Sequence, residues 1–344
     1  MAGIRTIIKY TIAIVLYYSG LLAIYAWLKR MAAGKPAFTI LMYHRVLDDV
    51  QDKKAFTQPG MSVSTDVFKK QLEYLSRTHT VVSLRKLAEK IRDGHKLPDK
   101  TAVITFDDGW RDNFVNAYPL LTKQSLPATI FLTTDYVDTV KPFWFVTVNW
   151  LISEGKLSAD SIRELVPHLS EDTYTYEPGP DTVIEALKNV EQGRLDEIVE
   201  SLVTQSGLSI DYWKSQKPML SWDEVRLMRQ DGIEFGSHGR SHKILTLLDS
   251  DVVKHEVEGS RPILGEQLGE EVYSFSYPNG NFNEMVQNTV KAAGYRCAVA
   301  TSTGATNKTD LFALKRIAVH QGVSVGPRGK FSRAMFALHI IRQS

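Results

Sequence analysis

Val103-Ile-Thr-Phe-Asp-Asp-Gly-Trp110 and, about 130 residues later, Gly236-Ser-His-Gly-Arg-Ser-His242 decide how this chain is read. The first stretch is β-branched and apolar, so it reads as a buried strand that ends in two adjacent carboxylates and a glycine. Consecutive strand residues point to opposite faces, so Asp107 and Asp108 can share a pocket only if the chain turns at Gly109. One acid and two histidines carried on different strand ends suit a divalent cation such as Zn²⁺, which favours imidazole nitrogen and carboxylate oxygen. The other acid is then available to take a proton from water. His238 and His242 are four apart, so a helical turn or a tight loop can aim both rings at one ion. That pair also occurs on surfaces and at helix caps. Its weight here comes from Gly236-Ser237 directly after a strand, in the same position as the acid pair after another.

Outward from these stretches, strand-like and helix-like segments alternate. Ala37 to Tyr43 reads as a buried strand with His44 at its end, and Phe68, Leu72 and Leu75 mark one face of a helix capped by Ser64 or Thr65. Val81-Val82, Ala102 to Phe106 and Ala128 to Leu132 read as strands separated by helices over 84–91 and 113–124. From about Thr139 to Pro218 the rhythm gives way to aromatic and charge-rich helical sequence, read as an insertion. The alternation then resumes, with strands at 233–235, 272–277, 298–301 and 313–319. This order predicts parallel strands wrapped by helices, with the motif residues on the loops after the strands.

The chain has 344 residues, 43% hydrophobic and 23% charged, and a formal charge of +2. That is enough for one large domain with an appendage, and the near balance of charge argues against nucleic acid as a partner. The single cysteine, Cys297, excludes an intrachain disulfide and a cysteine zinc site. Adjacent acids followed by glycine do not match the phosphotransferase pattern of acids two residues apart, and no Gly-rich phosphate cradle is present. Tyr10 to Leu28 is uncharged and about long enough to cross a bilayer, with Arg5 and Lys9 before it and Lys29 and Arg30 after it. It reads as an uncleaved anchor joined by Gly34-Lys-Pro36 to the domain; a helix lying in the interface or packed on the domain is the other reading.

Thr105-Phe-Asp-Asp-Gly109, Ser237-His-Gly-Arg-Ser-His242 and Phe275-Ser-Tyr-Pro-Asn-Gly280 resemble the first three motifs of the polysaccharide deacetylase family, also called the NodB-homology or carbohydrate esterase 4 family. Tyr43-His44, Pro127 to Leu132 and Trp222 agree with it, and the likeness spans about Phe38 to Val319. The resemblance implies an α/β fold, a deformed (β/α)₇ barrel, carrying the insertion of about 139–218 in a domain of 37–344 behind an N-terminal hydrophobic helix and linker of 1–36. It implies metal-dependent removal of N-acetyl groups from a sugar. Asp108, His238 and His242 would hold the metal, expected to be Zn²⁺, with Asp107 as general base. Tyr277 would offer a ring to the sugar, with a backbone N–H nearby for the tetrahedral oxygen; Asn279, His44 and Trp110 complete the expected substrate-binding set.

Two family positions differ: Ser276 stands where many members carry an arginine paired to the base, and Asn279 where they carry a tyrosine. Arg316 on a late strand is the expected substitute for the arginine. His320, in Arg316-Ile-Ala-Val-His320, is the expected general acid. The resulting expectation is a de-N-acetylase acting on a bacterial surface polysaccharide or its lipid-linked precursor, anchored in the inner membrane by a single pass and leaning to the periplasmic side. Removal of another acyl group such as formyl, and a silent glycan-binding scaffold, are the alternatives.

Overall fold

The computed structural model describes residues 4–33, 38–49, 56–58, 60–157, 180–188, 190–209, 211–301 and 310–343. The linker at 34–36 and the stretch 158–179 of the insertion lie outside the described residues. Ten strands are present among them: β1 (Phe38–Tyr43), β2 (Arg45–Leu47), β3 (Ser62–Ser64), β4 (Thr80–Val81), β5 (Thr101–Phe106), β6 (Thr129–Leu132), β7 (Glu234–Ser237), β8 (Ser274–Ser276), β9 (Cys297–Ala300) and β10 (Leu314–Ala318). Eight form one all-parallel sheet in the order β1-β10-β9-β8-β7-β6-β5-β4, and β1 also pairs with β5 along its whole length, from Phe38↔Thr101 to Tyr43↔Phe106. That last pairing closes a seven-stranded barrel. The deformation lies at β5, whose other edge is shared by β4 at Thr101–Ala102 and β6 at Thr105–Phe106.

β1, β5, β6 and β9 are buried at every residue, as expected for parallel strands covered on both faces. Strand alternation sorts them into two groups. Ile40, Val103, Phe131, Val299 and Leu314 pack together toward the lumen, while Leu41, Ile104, Ile130, Ala298 and Ile317 join the apolar stripes of the outer helices. Those helices start where side chains satisfy their free N–H groups: Ser64 accepts from Val67 N, Asn283 from Val286 N, and Ser221 with Glu224 forms a reciprocal capping box. Sequence reading missed the short β2–β3 pair and the C-terminal helix Arg333–Gln343. It expected one helix over 113–124, where a π-helical turn, Asn113–Ala117, leads into Tyr118–Lys123.

The insertion is helical as expected. Trp144–Ser153, Pro180–Leu187, Gln192–Ser206 and Asp211–Gln216 share an apolar cluster that includes Phe143, Trp150, Ile184, Leu195 and Trp213. Its exit is tied to the acid motif, because Leu220 N donates to Gly109 O (3.0 Å) and Arg111 N to Pro218 O (2.8 Å).

The N-terminal stretch departs from the single helix expected. Ile4–Tyr18 and Leu21–Ala33 are separate helices, bent by 81° at Ser19-Gly20. Gly20 takes φ +81°, which glycine adopts without a Cβ clash, and Ser19 Oγ accepts from Leu21 N, so the break is built by the residues that interrupt the apolar run. Among the described residues no single helix is long and apolar enough to cross a membrane, although the bent pair together passes on length and composition. One side packs on the C-terminal helix through Ala13, Leu22, Ala334, Met335 and Leu338, and Lys29 Nζ donates to Ile341 O (3.0 Å).

Candidate active site

Each motif sits where the barrel ladder runs one step past a strand. Asp107 N donates to Tyr43 O (3.0 Å), His238 N to Leu132 O (2.8 Å), Tyr277 N to Val299 O (3.2 Å) and Val319 N to Met42 O (2.8 Å). All four therefore lie at the C-terminal mouth. Beyond Asp107 the backbone leaves the strand: Asp108 has φ +77° and Gly109 φ +84°. Two successive left-handed residues cancel the alternation, so both carboxylates enter one cleft. A side chain at Gly109 would also press a Cβ to 2.8 Å from Leu132 Cδ2.

Asp108, His238 and His242 each offer a donor atom, and the three atoms all lie within 4.8 Å of one another. His242 Nε2 is 3.3 Å and His238 Nε2 3.6 Å from Asp108 Oδ1. That oxygen is buried and makes no hydrogen bond, whereas Oδ2 accepts from Trp110 Nε1 (2.8 Å). His238 Nδ1 lies 2.7 Å from the carbonyl of Ser276, so as the N–H donor it leaves Nε2 with its lone pair toward Asp108. Burial lowers the His238 pKa to about 4, outweighing the nearby Asp107 carboxylate, and keeps the ring neutral at neutral pH. Burial alone would raise Asp108, yet the adjacent His242 holds it well below the usual carboxylate range. A buried carboxylate oxygen without a partner, facing two imidazole nitrogens, fits a divalent cation.

Asp107 is held differently. Arg316 grips both its oxygens, Nη1 to Oδ1 and Nη2 to Oδ2, each at 2.6 Å, and also donates to Ser276 Oγ (2.9 Å). Arg316 reaches it because residues 314 and 316 of β10 share the lumen face with 103, 105 and 107 of β5. Burial pushes the Asp107 carboxyl upward, but Arg316 and then His238 bring it below its ordinary value. It is thus an ionised acceptor, 3.9 Å from His238 Nε2, pinned beside the Asp108–His238–His242 cluster.

His44, Asn279, Trp144, Phe145, Glu185 and Lys188 line the same cleft of about 280 Å³ as the acids and histidines. Trp110 is buried and serves Asp108, with Arg45 over its ring at 4.4 Å, so it is not a surface open to a sugar. Tyr277 is fully buried, donates to Phe312 O (2.9 Å) and stacks on Phe282; its own N–H is used by Val299. The stacking role expected of the Tyr277 ring is not supported by this placement. His320 does not reach the cleft lining. Its Nδ1 accepts from Gly322 N (3.2 Å), and burial followed by His339 and Lys9 lowers its pKa.

Sequence reading missed four contributors. Ser276, noted only as a lost arginine, links Arg316 to His238 through its hydroxyl and carbonyl. Phe143 and Phe145 flank the His242 ring at 5.0 and 5.7 Å. Glu256 accepts from Arg240 N (2.9 Å), Ser241 N (2.8 Å) and Ser241 Oγ (2.5 Å), fixing the loop that delivers His242 at φ +63°. An acid in register with Val253, Val257 and Leu264 on an otherwise apolar stripe was its only signal.

The polysaccharide deacetylase family profile matches residues 94–298. YxkH of Bacillus subtilis (strain 168), provisionally named a polysaccharide deacetylase, is 22% identical over 313 residues, covering 90% of this chain and 80% of its own. A poly-beta-1,6-N-acetyl-D-glucosamine N-deacetylase of Staphylococcus epidermidis is 23% identical over 227 residues, 60% of this chain and 74% of that one. Among solved structures, the Streptococcus pyogenes deacetylase PplD in complex with acetate superposes with a TM-score of 0.56 at 19% identity, covering 86% of this chain and 97% of that one.

Proposed function

Because the chain belongs to the polysaccharide deacetylase family, whose members hydrolyse amide bonds, we propose that it removes N-acetyl groups from a polymer of N-acetylglucosamine and does so with a divalent cation. The observation that carries the proposal is the division of labour between adjacent acids: Asp108 Oδ1 faces two imidazoles without a hydrogen-bond partner, while both oxygens of Asp107 are clamped by Arg316, with the nearest imidazole nitrogen, His238 Nε2, at 3.9 Å. Asp108, His238 and His242 would hold the ion, and Zn²⁺ is the cation this oxygen and nitrogen set suits best. Such an ion polarises an acetyl carbonyl and lowers the pKa of water. Asp107, kept ionised by Arg316, accepts the proton from water as it attacks the amide. Trp144, Asn279 and Lys188 border the cleft where the sugar would lie. The names of the relatives support N-acetylglucosamine as the sugar, and the apolar N-terminal helices support work beside a membrane on the polymer or its lipid-linked precursor.

The test is acetate release from β-1,6-linked N-acetylglucosamine oligosaccharides by wild type and by Asp107→Asn. The proposal expects release by wild type and a loss of about 10²- to 10⁴-fold in the variant, the range of a positioned acid–base group. Equal release by both proteins would remove Asp107 from the role of base.

A further inference from the structure

We propose that the bent N-terminal helix pair lies in one leaflet of an anionic phospholipid bilayer without crossing it, and that a cationic pocket beneath it binds a lipid phosphate. Of the 16 large apolar side chains exposed among the described residues, 12 fall between Ile4 and Met31. On the first helix Ile4, Ile8, Ile12 and Val15 form a stripe at helical spacing, opposite the side carrying Ala13 and Tyr17 that packs on the C-terminal helix. Ile24 and Trp27 extend the apolar surface along the second. Exposed apolar surface on this scale marks a docking face.

The geometry selects a leaflet over a span. Helices of 15 and 13 residues reach roughly 22 and 20 Å, each short of the ~30 Å hydrocarbon core, and an 81° bend prevents their lengths from adding. The other face of the pair is already occupied by protein, as in a helix that lies in an interface. Tyr17 and Tyr74 wall a cavity of about 240 Å³ that also holds Lys70, Arg77 and Arg333, three cations against the one acid Glu73. Lys70 is paired with Asp66, but Arg77 and Arg333 make no ion pair among the described residues. Arginine forks without carboxylate partners, at the seam where the first helix meets the domain, match the phosphate of a lipid headgroup. Tyr10 packs close to Gly326, so the first helix lies against the segment that follows β10.

The experiment adds full-length protein to preformed vesicles of phosphatidylglycerol with phosphatidylcholine, or of phosphatidylcholine alone. Wild type should prefer the anionic vesicles, and Arg77→Ser with Arg333→Ser should weaken that preference by about thirtyfold, at roughly one lipid-facing cation's worth of attraction each. Acetate release from soluble oligosaccharide should not change in the double variant, which guards against misfolding. Vesicle binding by Asp107→Asn separates this proposal from the catalytic one. Arg5→Cys on bound protein should react with a membrane-impermeant maleimide, Cys297 being buried and silent. Protection of that cysteine would establish a span and overturn the leaflet arrangement. An undiminished preference in the double variant would remove the pocket, and self-association without vesicle binding would make the apolar face a contact between copies.

Discussion

Arg316 was foreseen as a partner for Asp107 from its place on a late strand, and its reach across the lumen follows from strand parity alone. What sequence could not supply was Ser276, because a small residue at a position known for arginine reads as a loss until the guanidinium is seen arriving from β10. Replacing Arg316 with alanine leaves a buried carboxylate unpaired, so Arg316→Ala should lose about 3–5 kcal/mol of unfolding free energy and most acetate release while its metal content persists. Denaturant titration beside metal analysis checks both halves; an unchanged turnover would detach Arg316 from the base. Tyr277 and His320 were misread because an aromatic or a histidine near a strand end has the same sequence signature whether it faces the cleft or the core. The metal-free protein also carries a pH signature. The fold lowers His238 from 6.5 to about 4, so the unfolded chain takes up that proton first, and stability complete above about 6.5 is lost as pH falls toward 4. Asp107, lowered from 3.8, adds stability that disappears as pH falls through its folded value. Thermal melts across this range should decline toward acid, and His238→Asn should flatten the decline between pH 6.5 and 4.

At the scale of elements, the alternation of apolar runs and amphipathic stripes was enough to order the barrel, since β1, β5, β6 and β9 are nearly continuous in apolar residues and several helices begin at a visible cap. Short or irregular pieces were not legible: β2 and β3 have three residues each, and the π turn at Asn113–Ala117 differs from an α-helix only in its hydrogen bonding. The loop of Gly239 to His242 depends on a different element, the helix Ser250–Leu268, through Glu256. Glu256→Gln retains size but removes the charge that gathers two N–H groups and a hydroxyl, so metal affinity should drop about ten- to a hundredfold with the fold intact. Calorimetric zinc titration with circular dichroism reads this, and wild-type affinity in the variant would free the loop from Glu256. β7 has its own constraint. A Cβ on Gly236 would stand 2.6 Å from both the Phe131 ring and Ser274 Oγ, so Gly236→Ala should cost about 1–3 kcal/mol, measurable as a lowered melting temperature.

Across the whole molecule, barrel and insertion meet around one mouth, and the N-terminal pair packs on the C-terminal helix. Closure by β1 against β5 brings residues 107 and 316 together, and the insertion places Phe143 and Phe145 against His242 while its exit is stitched to Gly109 and Arg111. Sequence located the insertion by its break in rhythm, yet not its return onto the site, because which aromatic faces which ring is decided by packing over long separations. The bend at Ser19-Gly20 was likewise visible only as an interruption of hydropathy. The most direct measurement is a crystal structure of the zinc-loaded protein with anomalous data at the zinc edge. One strong peak among Asp108 Oδ1, His238 Nε2 and His242 Nε2, with Asp107 still bound to Arg316, is the predicted result. No peak at those atoms, or an ion held by Asp107 instead, would contradict the account.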